Sequence, residues 1–147
     1  MCARRSRSPG SVARGIRLPQ ALDLALLAEA ERRGRTFSAL ATELLDEALK
    51  QRQAPGVTFV DGAGGRRAVV AGSGIDVWEV VRTWKEAREE LAATLAAYPS
   101  LSEIQVRAAL GYYARFGAEI DDRLDRESAW TEERVRRELP YATPRTT

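Results

Sequence analysis

The sequence predicts a mainly α-helical protein in which a short strand and two helices precede a small β-hairpin and a helical bundle. Three observations favour this fold class. A short alternating segment ends at Pro19, and two amphipathic helical patterns separated by Gly34 follow it. Two β-branched runs flank a glycine-rich turn at 61–66. Ser102 and Gln105 have the spacing of a capping box and begin a long helical pattern.

The first elements follow from residue spacing. Residues 11–18 alternate between two faces, which predicts a strand. Pro19 then starts a helix over 20–33, where its missing N–H does no harm. Thr36 is a good N-cap for a helix over 37–52. One strand and two half-apolar helices, about 40 residues in all, are too few to bury a core alone. The pattern therefore predicts a homodimer or a higher homo-oligomer.

The remaining elements lie beyond Ala54-Pro55-Gly56, which breaks the helical pattern. We expect strands over 57–60 and 67–71 and helices over 75–86, 89–97 and 102–124. Four segments result: a disordered basic arm (1–10), a dimerisation and DNA-binding domain (11–53), a helical domain with an N-terminal hairpin (57–126) and a partner-binding tail (127–147).

Composition fits a folded protein: 44% of the 147 residues are hydrophobic and 30% are charged. The net charge of +2 is unevenly spread, because residues 1–53 hold 10 basic against 6 acidic side chains. No acid lies among the first 17 residues, which contain five arginines: Arg4, Arg5, Arg7, Arg14 and Arg17. A basic arm of this kind often contacts phosphates. The alternative is a solvated tail.

Several chemistries are excluded by missing residue types. The chain has no histidine and one cysteine, Cys2, so it holds no Ser-His-Asp triad, no Cys-His pair and no usual zinc site. We therefore expect no enzyme activity, no cofactor and no metal. The carboxylates of Glu119, Asp121, Asp122 and Asp125 are better explained as charge alternation on a helix surface. No apolar run is long enough to span a membrane and no secretory signal is evident, so we expect a cytoplasmic protein without a membrane partner.

The segment 12–52 carries Gly15-Ile16-Arg17-Leu18-Pro19 and Gly34-Arg35-Thr36-Phe37-Ser38, and it resembles the ribbon-helix-helix family of DNA-binding proteins (CopG, Arc and MetJ type). The resemblance implies that two chains pair their strands in the major groove of double-stranded DNA. The expected DNA-binding residues are Arg4, Arg5, Arg7, Ala13, Arg14, Gly15, Arg17, Thr36, Phe37 and Ser38. The last three would hold a phosphate at a helix N-terminus. The alternative is a helical hairpin whose β-extension serves only for dimerisation.

A second resemblance covers 57 to about 124. It rests on Gly64-Gly65-Arg66, Ile75-Asp76-Val77-Trp78 and Tyr98-Pro99-Ser100-Leu101-Ser102, and the family is known only as domain of unknown function 433. Ser73 and Gly74 stand where that family usually has threonine and arginine. The implied fold is a small β-element and a helix-turn-helix-like bundle. Its possible second DNA contacts are Ser102, Gln105 and Arg107. Alternatively, this bundle only packs or dimerises.

The two resemblances together imply a VapB-like antitoxin of a type II toxin–antitoxin system, which represses its own operon and neutralises a PIN-like ribonuclease. Apolar and basic side chains in the charged tail suit docking on that toxin protein. The expected toxin-binding residues are Trp130, Arg134, Val135, Arg136, Arg137 and Leu139. The alternative for the tail is that it folds back on its own bundle. The alternative for the whole chain is a stand-alone ribbon-helix-helix regulator whose second domain mediates oligomerisation.

Overall fold

The computed structural model describes residues 10–130 together with 134, 137 and 138. Within these residues the protein has five α-helices and one two-stranded antiparallel sheet, which confirms the predicted mainly α-helical fold. The chain divides into two compact units, Met1–Leu44 and Leu45–Thr147. None of the described helices combines the length and the hydropathy that crossing a membrane requires.

The first unit contains the helical hairpin predicted from the glycine turn. Helix α1 (Gln20–Arg32) ends where Gly34 adopts a φ of +62°, and the Arg35 N–H donates to the carbonyl of Ala30 at 2.9 Å. Helix α2 (Phe37–Gln53) begins in this unit, and the Thr36 hydroxyl accepts from the Ala39 N–H at 3.2 Å. Between residues 10 and 44 only Ala30 and Leu40 are buried, so this unit has very little core of its own.

The strand predicted over 11–18 is not formed by the single chain. These residues lie in no helix or strand, and all but Leu18 are exposed. The physical reason is that a strand is stabilised by ladder hydrogen bonds, and no described segment of the same chain lies in position to supply them. Val12 and Ile16 therefore expose 71% and 70% of their surface.

The second unit begins with the predicted hairpin, formed by β1 (Val57–Gly62) and β2 (Gly65–Val70). Their register runs from Val57 opposite Val70 to Gly62 opposite Gly65, which leaves only two residues in the turn. The expected turn at 61–66 was too long, because Asp61 and Arg66 are cross-strand partners joined by an ion pair at 3.1 Å. Gly65 has a φ of +106°, which a residue with a Cβ rarely adopts.

Three helices complete the second unit: α3 (Val77–Glu86), α4 (Leu91–Ala97) and α5 (Glu103–Ser128). Helix α3 begins two residues later than expected, because Asp76 is its N-cap and forms a capping box with Glu79. The capping box predicted for α5 is confirmed: the Gln105 N–H donates to the Ser102 hydroxyl, and the Gln105 side chain accepts from the Ser102 N–H. Helix α5 is kinked at Phe116, whose φ and ψ are −123° and 36°.

The core of the second unit is built largely from β-branched residues of the hairpin, α3 and α5. Its buried members are Ala54, Val57, Val70, Val77, Val80, Val81, Leu101, Val106, Ala109, Tyr112 and Ile120. Tyr112 is fully buried, and its hydroxyl donates to the Glu119 carboxylate, which also lies 2.7 Å from the ammonium of Lys50. Burial and the neighbouring carboxylate raise the pKa of the Tyr112 phenol, so it stays a neutral donor.

Replacing Glu119 with alanine should destabilise the protein by about 1–3 kcal/mol, because the buried Tyr112 hydroxyl loses its acceptor. Urea unfolding followed by circular dichroism measures the change. Asp122→Ala is the matched control, since Asp122 lies exposed on the same helix and makes no side-chain bond in the described part of the chain. Equal midpoints for the two variants would show that Glu119 contributes no stability.

Candidate nucleic-acid interface

The N-terminal segment before α1 presents the arginines expected to reach DNA. Arg14 and Arg17 are exposed, and so are their neighbours Ala13 and Gly15. An open groove of about 570 Å³ runs along this segment. It is lined by Arg14, Gly15, Ile16, Leu18, Gln20, Asp23 and Phe37. The structure therefore brings three of the predicted DNA-binding residues, Arg14, Gly15 and Phe37, to one surface of the first unit.

The first turn of α2 holds the other expected DNA contacts of this unit. Thr36 and Ser38 are exposed, and Phe37 is half-buried. The Thr36 hydroxyl accepts a hydrogen bond from the Ala39 N–H. The N–H groups of Phe37 and Ser38, in the first turn, have no acceptor within the helix itself. Free N–H groups and the positive end of a helix dipole favour an anion at such a position. Arg4, Arg5 and Arg7, the remaining predicted contacts, lie outside the described residues.

The solvent-shielded side of α2 carries three charged side chains as well as the buried Leu40, and these charges were not expected from the sequence. We call Glu43, Glu47 and Lys50 the inner face of α2; their side chains are only 17%, 12% and 17% exposed. Each is ion-paired within its own unit. Glu43 pairs with Arg33 and Arg35 in the first unit. In the second unit both Glu47 oxygens accept from Arg66, at 2.7 and 2.8 Å, and Lys50 contacts Glu119.

The two cations of the pairs in the second unit, Arg66 and Lys50, both have raised pKa values. The Glu47 carboxylate beside the Arg66 guanidinium raises the pKa of Arg66. Burial lowers the same pKa by a smaller amount. Burial lowers the pKa of Lys50, but hydrogen bonds to Glu119 and Asp46 outweigh it and leave that pKa raised. The signal in the sequence was the spacing i, i+4, i+7 of charged residues at 43, 47 and 50, which marks one face of a helix.

Both α1 and α2 also carry large apolar residues that stay exposed in the described chain. We call them the exposed leucines; they are Leu22, Leu24 and Leu27 on α1, and Leu44, Leu45 and Leu49 on α2. Leu45 and Leu49 expose 58% and 57% of their surface. These two are one helical turn apart, and neighbouring exposed leucines favour an interaction surface over chance exposure.

The residues proposed as a second DNA contact are used within the chain. Gln105 completes the capping box and also donates to the carbonyl of Ala71 at 3.1 Å. Arg107 is exposed, and its guanidinium bonds Glu103 one turn earlier at 2.7 Å. Ser102 is exposed and caps α5. Their positions support a structural role for Ser102 and Gln105.

Part of the predicted tail site falls within the described chain. Trp130 is 47% exposed, and the Arg134 guanidinium lies 4.9 Å from the centre of its ring. Arg134 also pairs with Glu138 at 3.0 Å, while Arg137 is exposed. The other predicted members, Val135, Arg136 and Leu139, lie outside the described residues.

Replacing Leu45 and Leu49 with lysine should abolish self-association of the full chain while preserving its helix content. Neither side chain belongs to the described core, and covering a leucine contributes about 1.5–3 kcal/mol. Sedimentation equilibrium should give a dimer for the unmodified chain and a monomer for the variant. Ile104→Lys is the control, since Ile104 is 81% exposed on α5. A monomeric unmodified chain would contradict the expectation.

Comparison with known proteins bears on the second unit alone. No curated protein and no solved structure matches the chain. Residues 57–113, from the start of β1 into α5, match the model of the family described as "Protein of unknown function (DUF433)". The predicted resemblance of the hairpin, α3, α4 and the first part of α5 to that family is thereby confirmed.

Proposed function

We propose that the protein binds operator DNA as a homodimer and acts as the antitoxin of a PIN-like ribonuclease. The observation that carries the DNA-binding part is the pairing of two features in the first unit. An exposed, unpaired segment bears Arg14 and Arg17, and the helices that follow it carry the exposed Leu22, Leu24, Leu27 and Leu44.

A second copy would satisfy both features at once. Two segments over 11–18 would pair as an antiparallel ribbon and supply each other's ladder hydrogen bonds. The exposed leucines would be covered by those of the second copy. A two-stranded ribbon fits the major groove, where Arg17 is suited to a bidentate contact with guanine. The N-terminus of α2 would then meet a backbone phosphate.

The antitoxin part rests on different residues. Trp130 is a large, half-exposed aromatic side chain that lies beside the guanidinium group of Arg134. Aromatic and arginine side chains dominate the binding energy of many protein interfaces. Arginines placed among the metal-binding carboxylates of a nuclease would stop its reaction by occupying those oxygens. The alternative role is a stand-alone regulator whose second unit assembles dimers.

Arg17→Ala should weaken binding to operator DNA by about 1–3 kcal/mol, and binding to random duplex by much less, because only the operator offers the guanine contact. Fluorescence anisotropy with both duplexes measures the difference. Arg52→Ala is the control, because Arg52 is also exposed but lies in the last turn of α2. Removing residues 1–10 should instead weaken binding to both duplexes by similar amounts, and it should make the affinity for DNA less dependent on salt concentration. Equal losses on both duplexes for Arg17→Ala would leave Arg17 with a phosphate contact only.

A chain that ends at Arg126 should lose most of its affinity for the toxin and keep its DNA binding. Trp130→Ala in the full chain should cost about 2 kcal/mol of toxin binding. The toxin is obtained by pull-down from the native host, and a nuclease assay then measures inhibition. If the shortened chain still inhibits the nuclease as strongly as the full chain, the tail is not the inhibitory element. The bundle formed by α3, α4 and α5 would then be the proposed inhibitory element.

A further inference from the structure

Three arginines from different elements of the second unit gather around one tryptophan. Arg67 comes from β2, Arg82 from α3 and Arg123 from α5. The guanidinium carbons of Arg82 and Arg123 lie 5.1 and 5.4 Å from the ring centre of Trp78. Arg67 is connected to the same indole through Asp76. We call these four residues and Asp76 the Trp78 cluster.

Asp76 holds the base of this cluster in place. It is 3% exposed, and its two carboxylate oxygens accept from Arg67 at 2.7 Å and from the indole N–H of Trp78 at 2.9 Å. It is also the N-cap of α3, so the helix fixes its position. Both carboxylate oxygens are thus used within the protein, and the cluster is preorganised before any ligand arrives.

The guanidinium groups have unused donors. Among the residues the structure describes, the only acidic partner of Arg82 is Glu86, and their charged atoms are 4.0 Å apart. Arg123 pairs through Nη2 with Glu127 at 2.8 Å, but its Nε is shielded from water and has no hydrogen-bond partner in the described chain. A buried, unpaired donor is costly to maintain, and each such group calls for an explanation.

The cluster is also open to solvent at its rim. The side chains of Arg67, Arg82 and Arg123 are 45%, 49% and 35% exposed. The hairpin turn beside Arg123 carries Gly64, where an added Cβ would lie 3.8 Å from the Arg123 Nη1. No bulky side chain at that position therefore covers the guanidinium. Each of these three side chains is therefore accessible in part to a ligand.

We propose that the Trp78 cluster binds a phosphate group through Arg82 and Arg123, with Arg67 at its edge. A phosphate has tetrahedrally arranged oxygens, which can accept from guanidinium groups lying in different planes, whereas a carboxylate has one plane. Stacking on the indole fixes each guanidinium without using its N–H donors. The site lies entirely in the second unit and does not depend on DNA binding by the first.

The test is a titration of the full chain with potassium phosphate against potassium chloride of equal ionic strength. Two-dimensional ¹⁵N NMR follows the indole N–H of Trp78 and the Nε–H of Arg123. Phosphate should move both signals saturably, and chloride should not. In an Arg82→Gln, Arg123→Gln double variant the indole shift should need about tenfold more phosphate, from the loss of charge-assisted bonds.

Arg115→Gln is the matched control, because Arg115 is exposed on α5 and has no partner in the described part of the chain. It should bind phosphate as the unmodified chain does. Signals that stay unmoved in the unmodified chain overturn the proposal without any variant. An equal loss in the control also overturns it, since binding would then follow overall charge rather than this site.

A second titration with short duplex DNA distinguishes the sources of the phosphate. If the double variant weakens duplex binding while Arg17→Ala leaves the Trp78 signal shift intact, the site takes backbone phosphates. If duplex binding is unchanged but inorganic phosphate still moves the signals, the site takes a free phosphate group. Failure of DNA binding through Arg17 leaves the inorganic phosphate result unaffected, so the two proposals fail separately.

Discussion

The rest of the structure depends on the ion pairs along the inner face of α2. Glu47 and Lys50 are largely shielded from water, yet each has a partner of opposite charge at 2.7 Å. Removing charges from water is costly, so such pairs contribute little net stability compared with an apolar contact. They do fix which side of the helix faces its own chain. Because the charged side is committed in this way, Leu45 and Leu49 lie on other sides of the helix and remain more than half exposed.

A second constraint lies at the junction of β2 and α3, where backbone and side chains are closely fitted. Gly72 and Gly74 have φ angles of +76° and +72°, which an arginine at position 74 would adopt only with strain. Ser73 donates to the carbonyl of Val70 at 2.9 Å and accepts from the Ile75 N–H at 3.1 Å. A serine hydroxyl can thus replace that of the threonine usual in the family. The arginine usual at position 74 has no equivalent there in this chain.

Local patterns in the sequence predicted most of the fold. Proline and glycine boundaries, together with the capping residue Thr36, placed four of the five described helices within about two residues of their observed bounds. Ser102 marked the start of the fifth, α5, which continues to Ser128 beyond the expected end at 124. The strand over 11–18 could not be confirmed in one chain, because pairing needs a second strand. The hairpin turn was predicted too long, because charged residues at 61 and 66 were taken as turn residues although they pair across the strands.

The candidate sites were harder to predict than the elements. Exposed arginines before Pro19 follow directly from the sequence. The polar inner face of α2 required knowing its partners, Arg66 and Glu119, which are distant in the chain. The Trp78 cluster combines residues 67, 76, 78, 82 and 123, of which only Trp78 and Arg82 have a helical spacing that sequence alone can detect. Contacts between distant elements are set by packing, which no local pattern contains.

The two units differ in how far each can be stable alone. The second unit buries a continuous set of valines together with Tyr112 and Ile120, whereas the described part of the first buries only Ala30 and Leu40. A segment with so small a core gains its stability from association, and association depends on concentration. Dilution should therefore disorder the first unit before it affects the second unit. On the DNA-binding role proposed above, the concentration of the protein itself would set the occupancy of an operator, while any ligand of the second unit could still bind the dissociated chain.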